Sequence, residues 1–227
     1  MSRPVALVTG ASSGIGRAIA LALSGTHHIL VGGRNAAPAR IAETVTLLES
    51  SEPFAVDLDD EAAVTAAASG IERLDVLVHS AGLVAYGTVA DSTTEDWQQV
   101  LATNVIAPAT LTRALLPTLR AAHGLVIFIN SGAGLTAHAG WGVYAASKFA
   151  LTALADSLRA EEHGAIRVTS LHPGRVATPM QVQLNELEGR TYQAERYLDP
   201  ESVARAVRLA VDLPPEASLD SLRITPA

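Results

Sequence analysis

The sequence predicts a doubly wound α/β fold, in which helices cover both faces of one parallel β-sheet. Short apolar strand patterns alternate with helical patterns along the whole chain. The strands are continuously apolar, as in LVIFIN at residues 125–130, and such strands are buried on both faces. The alternation is not interrupted by a linker rich in Gly, Ser or Pro. It therefore indicates one domain over residues 1–227.

The first half of the chain predicts four strands with helices between them. The strands are expected at residues 5–9, 29–33, 54–57 and 74–79, and the helices at 17–24, 37–48 and 61–68. The segment STTE then matches a capping box, with Ser92 as the cap and Glu95 at the third helical position, and it opens a long helix towards residue 122. Pro108 predicts a kink or break within that helix.

The second half continues the pattern with strands at 125–130, 166–171 and 222–225, and with a helix at about 142–163. Asp199, Pro200 and Glu201 predict another helix start, with proline at the first position. Residues 180–198 have the weakest pattern, so we expect a loop there, placed to contact substrate.

Composition excludes several classes of function. The formal net charge is −7 and there is no dense basic run, so nucleic acid and anionic lipid are not expected partners. The chain has no cysteine, which excludes disulfides and thiolate metal sites, and no histidine spacing typical of a metal site. Neither a secretory signal nor a membrane anchor is visible, so we expect a cytoplasmic protein.

A glycine-rich turn follows the first strand. It reads TGASSGIG at residues 9–16, with the glycines spaced as G-x-x-x-G-x-G. Glycines let a backbone approach a pyrophosphate closely, and the N-terminus of the next helix supplies N–H groups and partial positive charge. The turn therefore predicts a dinucleotide site.

Tyr144 and Lys148 predict proton transfer. They are four residues apart on a predicted helix, which places their Cβ atoms about 5–6 Å from each other. A unit charge about 5 Å away at an effective dielectric constant of about 20 is worth roughly 3 kcal/mol. We therefore expect the Lys148 charge to lower the pKa of the Tyr144 phenol from about 10 towards working pH.

Together with Asn104 and Ser131, these motifs resemble those of the classical short-chain dehydrogenases/reductases. Ser131 precedes Tyr144 by thirteen residues, close to the spacing in that family, and the resemblance spans nearly the whole chain. It implies a single Rossmann-type domain and an oxidoreductase. One departure is HSAG at residues 79–82, where the family usually has NNAG or NAG. A second is the end of the chain at SLDSLRITPA, from which we expect no completion of the active site by a partner's tail.

The resemblance also implies the catalytic roles. Tyr144 would exchange a proton with the carbonyl or alcohol oxygen, and Ser131 would hydrogen-bond that oxygen. Lys148 would lower the pKa of the phenol and hold the nicotinamide ribose. Asn104 would position a water that links Lys148 to solvent.

Cofactor contacts are expected from the glycine turn, the ends of later strands and the PGRVAT segment. The expected positions are Gly10, Ser12, Ser13, Gly14, Ile15, Gly16, Arg34, Asp57, Leu58, Ser80, Ala81, Gly82, Tyr144, Lys148, Pro173, Gly174, Val176 and Thr178.

The end of the second strand predicts NADP(H) rather than NAD(H). The segment ILVGGRN at residues 29–35 has no Asp or Glu to bind the ribose hydroxyls. Gly33 leaves room there, and Arg34 offers a planar, bidentate donor set for a 2′-phosphate.

The expected substrate is a small ketone, aldehyde or secondary alcohol. Leu83, Val84 and the Met180 region suggest an apolar pocket wall, while His138 and Trp141 either line the pocket or lie exposed in a loop. A homodimer or homotetramer is expected from the apolar faces of the helices at 92–122 and 142–163, which the family commonly pairs. The alternatives are a catalytically silent dinucleotide-binding regulator and a nucleotide-sugar epimerase or dehydratase. The intact Tyr144 and Lys148 disfavour the first, and the chain length disfavours the second.

Overall fold

Seven parallel strands form the centre of the protein in a computed structural model that describes residues 3–34 and 37–227. Within those residues the sheet order is β3-β2-β1-β4-β5-β6-β7. The strands are Val5–Val8 (β1), His28–Gly33 (β2), Ser51–Ala55 (β3), Val76–His79 (β4), Leu125–Ile129 (β5), Arg167–Pro173 (β6) and Ser221–Ile224 (β7). All neighbouring pairs are parallel. The sequence-based prediction of the fold class is confirmed.

Helices connect the strands and cover both faces of the sheet. They are Gly14–Ser24 (α1), Pro38–Thr46 (α2), Glu61–Ser69 (α3), Thr94–Leu101 (α4), Ala107–Ala122 (α5), Gly142–Glu161 (α6), Pro179–Leu187 (α7) and Pro200–Asp212 (α8). The strand order reverses between β1 and β4, and the carboxyl ends of the strands at such a point form the ligand crevice of open α/β sheets.

Two apolar cores lie on opposite sides of the sheet. Along β1, Ala6 and Val8 face the side covered by α1 and α8, while Leu7 faces the side covered by α3, α5 and α6. This follows from the period of two in a strand. On α5, Leu111, Leu115 and Leu119 are fully buried, so truncating any of them to alanine is expected to cost about 2–5 kcal/mol.

The long predicted helix is interrupted. A five-residue π-helix, Ala102–Ile106, separates α4 from α5, and Pro108 lies in the first turn of α5. The break expected near Pro108 is therefore present. The predicted cap is wrong by one residue, because Thr93 caps α4 and Asp96 completes the capping box.

Several other boundaries differ from the prediction by one to three residues, and part of the predicted loop forms a helix. β3 begins at Ser51 rather than at residue 54, since Glu52 and Pro53 are exposed on an edge strand and carry no apolar signal. Residues 179–187 form α7 rather than an irregular loop. The Thr178 side chain accepts a hydrogen bond from Gln181 N, and Pro179 occupies the first turn.

One helical stretch in the described part of the chain, Thr94–Ala122, has the length and apolar character to cross a membrane. It spans 29 residues, with a mean hydropathy of 1.2 in its most apolar window. The buried leucines of α5 belong to this stretch and pack in the core beneath the sheet. Core helices of globular proteins commonly have this composition.

Candidate active site

A cavity of about 320 Å³ lies at the carboxyl ends of β1, β2 and β4. Most of the residues predicted to contact cofactor line it: Gly10, Ser12, Ser13, Gly14, Ile15, Gly16, Arg34, Asp57, Leu58, Ser80, Ala81, Gly82 and Thr178. Tyr144, Lys148, Pro173, Gly174 and Val176 do not line it. The cavity brings together segments that are far apart in the sequence.

The glycines of the turn are required by its geometry. Gly10 has a φ of +66°, and a Cβ there would lie 2.9 Å from the backbone of Ala81. A Cβ on Gly16 would lie 2.4 Å from the carbonyl oxygen of Gly10. Ser13 begins α1 with extended backbone and no side-chain cap, so the first N–H groups of the helix face the turn without a side-chain acceptor. This cradle fits the pyrophosphate of a dinucleotide.

Thr9 holds the glycine turn against the segment after β4. Its Oγ1 accepts hydrogen bonds from the N–H groups of Ser80 and Ala81, at 3.0 and 3.1 Å. Sequence reasoning did not give Thr9 a role, although it begins the TGASSGIG motif. Ser80 lines the cavity at the position where the family usually has asparagine.

Two arginines line the adenosine end of the cavity. Arg34 was predicted, but Arg40, in the first turn of α2, was missed. Both side chains are exposed. Asn35, which follows Arg34, lies outside the described residues. The signal for Arg40 was its place in the first turn of the predicted second helix, six residues after Arg34.

Tyr144 and Lys148 lie one turn apart on α6. The Lys148 Nζ is 5.7 Å from the centroid of the Tyr144 ring and donates a hydrogen bond to the carbonyl oxygen of Ile129 at 3.1 Å. Ser131 follows β5 and begins a short 3₁₀ turn, in which its Oγ accepts from Ala133 N at 3.1 Å. The structure thus brings the predicted serine, tyrosine and lysine together.

The expected electrostatic effect of Lys148 on Tyr144 is wrong for this structure. Burial raises the pKa of the Tyr144 phenol above its usual value, and the nearby Ser131 hydroxyl offsets only part of that rise. Burial also lowers the pKa of Lys148, to about 8. The cost of taking the phenolate out of water dominates, and the sequence-based estimate, which used the effective dielectric constant of a protein surface, left that cost out.

Asn104 lies in the π-helix and is buried. Its Oδ1 accepts from Leu83 N at 2.8 Å, and its Nδ2 donates to Leu83 O at 2.9 Å and to the Ser147 hydroxyl at 3.0 Å. These bonds attach the segment after β4 to α6. The proposed water relay through Asn104 stays a prediction.

Side chains hold both backbone groups of Ser131. Its N–H donates to the Asn130 Oδ1 at 2.9 Å, and its carbonyl oxygen accepts from the His172 Nδ1 at 3.0 Å. The His172 Nε2 lies 3.1 Å from the hydroxyl of Ser170 and accepts from it in this tautomer. Burial lowers the pKa of His172, so the ring is neutral at neutral pH. Sequence analysis missed both Asn130 and His172.

Aromatic side chains flank the candidate proton donor. The Trp141 ring makes edge contacts with Tyr144, at a centroid distance of 5.7 Å, and with Tyr86, at 5.6 Å. His138 is exposed. Trp141 is therefore the loop residue beside the phenol.

His79 is part of the core rather than of the site. It stacks on Phe128 at 5.0 Å and its Nε2 lies 2.8 Å from the Thr112 hydroxyl. Burial lowers the pKa of His79 to about 3. Among the described residues, no group of three His, Asp or Glu side chains could hold a metal ion.

Comparison with known proteins decides the family. The family model for short chain dehydrogenases matches residues 4–189. The chain belongs to the short-chain dehydrogenase/reductase family. An uncharacterised short-chain type dehydrogenase/reductase from Sinorhizobium fredii is 35% identical over 98% of this chain and 91% of its own.

Solved structures of short-chain oxidoreductases share this fold. A serine dehydrogenase complexed with NADP⁺ is 28% identical, with a TM-score of 0.87 over 97% of this chain and 94% of its own. A metagenomic short-chain oxidoreductase in complex with NADP is 30% identical, with a TM-score of 0.83 over 100% of this chain and 99% of its own. These similarities support a nicotinamide dinucleotide as the cofactor of this short-chain dehydrogenase/reductase.

Proposed function

We propose that the protein is an NADP(H)-dependent oxidoreductase that acts on a ketone, an aldehyde or a secondary alcohol. The observation that carries this proposal is that the glycine-turn cavity adjoins the group of Ser131, Tyr144 and Lys148: a Cβ on Gly82, which lines the cavity, would lie 4.0 Å from the Lys148 Nζ. The NADP complexes of its structural relatives support it. We further propose that it is a cytoplasmic homodimer or homotetramer with a small-molecule substrate.

The residues divide the chemistry among them. The nicotinamide, when bound, supplies or accepts the hydride. Tyr144 carries the proton that the carbonyl oxygen gains or the alcohol loses. Ser131 donates a hydrogen bond to that oxygen and stabilises the charge that develops on it. Lys148 holds the nicotinamide ribose and stabilises the phenolate that Tyr144 becomes once it has given up its proton.

The raised pKa of Tyr144 suits an acid in the reduction direction. A buried phenol with a raised pKa stays protonated at neutral pH, so the proton is available when a carbonyl is reduced. The alcohol oxidation needs the phenolate, and the nearby ammonium of Lys148 favours that form. We therefore expect the rate of alcohol oxidation to rise with pH, and we expect no such rise in the rate of carbonyl reduction.

The test of the function is turnover with and without the Tyr144 hydroxyl. NADPH absorbance is followed across a panel of carbonyls, and NADP⁺ reduction across the matching alcohols. We expect Tyr144→Phe to abolish nearly all turnover while the dissociation constant for NADPH stays close to that of the wild type. A variant that keeps more than about a tenth of the rate, a change below about 1.4 kcal/mol, would reject Tyr144 as the acid.

Absence of turnover across both panels, combined with tight NADPH binding, would instead support a silent dinucleotide-binding regulator. Lys148→Ala provides the contrast, because it is expected to weaken both turnover and NADPH binding.

NADP(H) preference is proposed to depend on two arginines rather than one. Arg34 and Arg40 both line the adenosine end of the cavity. A charge-assisted contact of about 1.5–3 kcal/mol corresponds to a tenfold to hundredfold preference for NADPH over NADH. We expect Arg34→Ala and Arg40→Ala each to weaken NADPH binding while leaving NADH binding nearly unchanged.

Titration of both reduced cofactors measures this, with Arg113→Ala as the control. Arg113 lies on α5, pairs with Glu61 and does not line the cavity. Equal dissociation constants of the wild type for NADPH and NADH would show that the arginines do not recognise the 2′-phosphate, and would reject the proposed preference for NADP(H).

A further inference from the structure

A second cavity, of about 420 Å³, lies beside the candidate active site. It is formed by Arg175, which follows β6, and by residues of α7 and of the segment after it. Its lining includes Arg175, Asn185, Arg190, Thr191, Arg196 and Tyr197. Most of its lining lies within residues 180–198, which the sequence analysis expected to contact substrate, although no motif there indicated a charged site.

The cavity carries an excess of positive charge. Three of its lining residues are arginines and none is acidic, and two of the arginines pair with Glu188. Arg175 binds Glu188 through both terminal nitrogens, and Arg190 lies 3.6 Å from the same carboxylate. Arg196 forms no ion pair with any described residue. The cavity is thus lined by three arginines, of which one glutamate pairs with two, in a chain whose net charge is −7.

The walls of the cavity are held in place by buried hydrogen bonds. Asn185 is 1% exposed, and its Nδ2 lies 2.8 Å from the Tyr197 hydroxyl and 3.2 Å from the carbonyl oxygen of Thr191. Its Oδ1 accepts from the Gln181 Nε2 at 2.7 Å. The segment after α7 is therefore tied back to that helix, and a ligand meets a largely preformed site.

Trp141 connects this cavity to the proton donor. The Arg175 guanidinium carbon lies 5.5 Å from the centroid of the indole, over its ring. The Tyr144 ring contacts the same indole at 5.7 Å. The Trp141 ring therefore lies between Tyr144 and Arg175, so a molecule whose carbonyl reaches Tyr144 can extend past this ring to the arginine cavity.

We propose that this arginine cavity binds a carboxylate carried by the substrate, so that the substrates are oxo acids or the corresponding hydroxy acids. The inference rests on the proposed function and narrows its substrate class. The reacting carbonyl lies at Tyr144, the connecting chain lies against Trp141, and the carboxylate lies among Arg175, Arg190 and Arg196. Guanidinium groups bind carboxylates through paired hydrogen bonds, and an excess of positive charge favours an anion over a neutral isostere.

Binding is tested without turnover. Calorimetric titrations in the presence of NADP⁺ use the straight-chain oxo acids from 4-oxopentanoate to 7-oxooctanoate, each compared with its methyl ester. We expect at least one acid to bind about tenfold more tightly than its ester. Added salt should weaken binding of the acid and leave that of the ester unchanged.

Arg196→Gln is the informative variant, since Arg196 makes no ion pair within the described residues that its loss would disrupt. It should weaken binding of the acid about tenfold and change that of the ester less than twofold. Arg196→Lys should restore part of the affinity because it keeps the charge. Arg113→Gln, which removes an arginine charge far from the cavity, is the matched control and should have no effect.

Three outcomes would overturn the inference. The first is equal binding of acid and ester throughout the series, and the second is an Arg196→Gln variant that binds the acid like the wild type. The third is non-competitive binding of glutarate, a dicarboxylate without a ketone, because the cavity would then hold an anion other than the substrate. Turnover of neutral ketones tests the proposed function independently, so failure of one leaves the other standing.

Discussion

Lys148 is the only lysine in the 227 residues, and it is buried beside Tyr144. Burial lowers its pKa from 10.5 to about 8, because the charged form loses its hydration. Lysine labelled with ¹³C at the ε carbon would give a single side-chain signal, with no assignment needed. We expect this signal in the nucleotide-free protein to titrate with a midpoint near pH 8. A midpoint close to the ordinary lysine value would contradict the burial argument.

The same lowered pKa affects stability. Between about pH 8 and 10.5 the folded protein has lost the Lys148 proton while the unfolded chain keeps it. The free energy of unfolding should therefore rise with pH in this window, by up to about 1.4 kcal/mol per pH unit, and the gain should be absent below it. Urea unfolding at several pH values gives the free energy of unfolding as a function of pH for the wild type and for Lys148→Met. The difference between the two pH slopes measures the contribution of Lys148. An equal dependence of the free energy of unfolding on pH in the two proteins would show that Lys148 does not contribute.

The interrupted helix shows how one element can serve both the core and the site. α5 buries its leucines against the sheet, while the π-helix before it directs Asn104 towards Leu83 and Ser147. The extra residue in a π-turn rotates the chain after it relative to the chain before it, and such turns are frequent at functional sites. Local residue pattern predicted a break at Pro108. It did not predict that Asn104 would lie within the break.

The capping box of α4 begins at Thr93, one residue after the cap predicted from the sequence. The Thr93 Oγ1 accepts from Asp96 N at 3.1 Å, and the Asp96 carboxylate accepts from Thr93 N at 2.8 Å. We expect Thr93→Ala to lower the free energy of unfolding by about 1 kcal/mol. Thr94→Ala, at the next and exposed position, should change it by less than about 0.5 kcal/mol. Equal effects in denaturant unfolding would argue against Thr93 as the cap.

At the scale of the whole molecule, we propose self-association through the helical side that carries Ile106 and Phe149. These apolar side chains are 60% and 45% exposed. Light scattering at micromolar concentration should give two or four chain masses for the wild type, and a lower mass for Ile106→Asp or Phe149→Asp. Leu47→Asp, at an equally exposed apolar residue after α2, is the control and should keep the mass of the wild type. A wild type of one chain mass would reject the proposal.

The sequence by itself determined the fold class, the glycine turn and the position of Tyr144 and Lys148 on one helix face. These features depend on residues within about one helical turn or one strand of each other, so local patterns and spacing are enough to predict them. The alternation of strands and helices indicated a parallel sheet, whereas the order of its strands came from the tertiary structure.

Only the tertiary structure decided which distant residues meet. Thr9 reaches the segment after β4, His172 reaches Ser131 from 41 residues away, and Arg40 joins Arg34 in one cavity. The direction of the Tyr144 pKa also depends on how completely the fold removes the phenol from water. The physical reason is the same in each case: contacts between residues far apart in the chain, and the burial of one polar side chain, depend on how the elements pack and are not marked by the local apolar pattern.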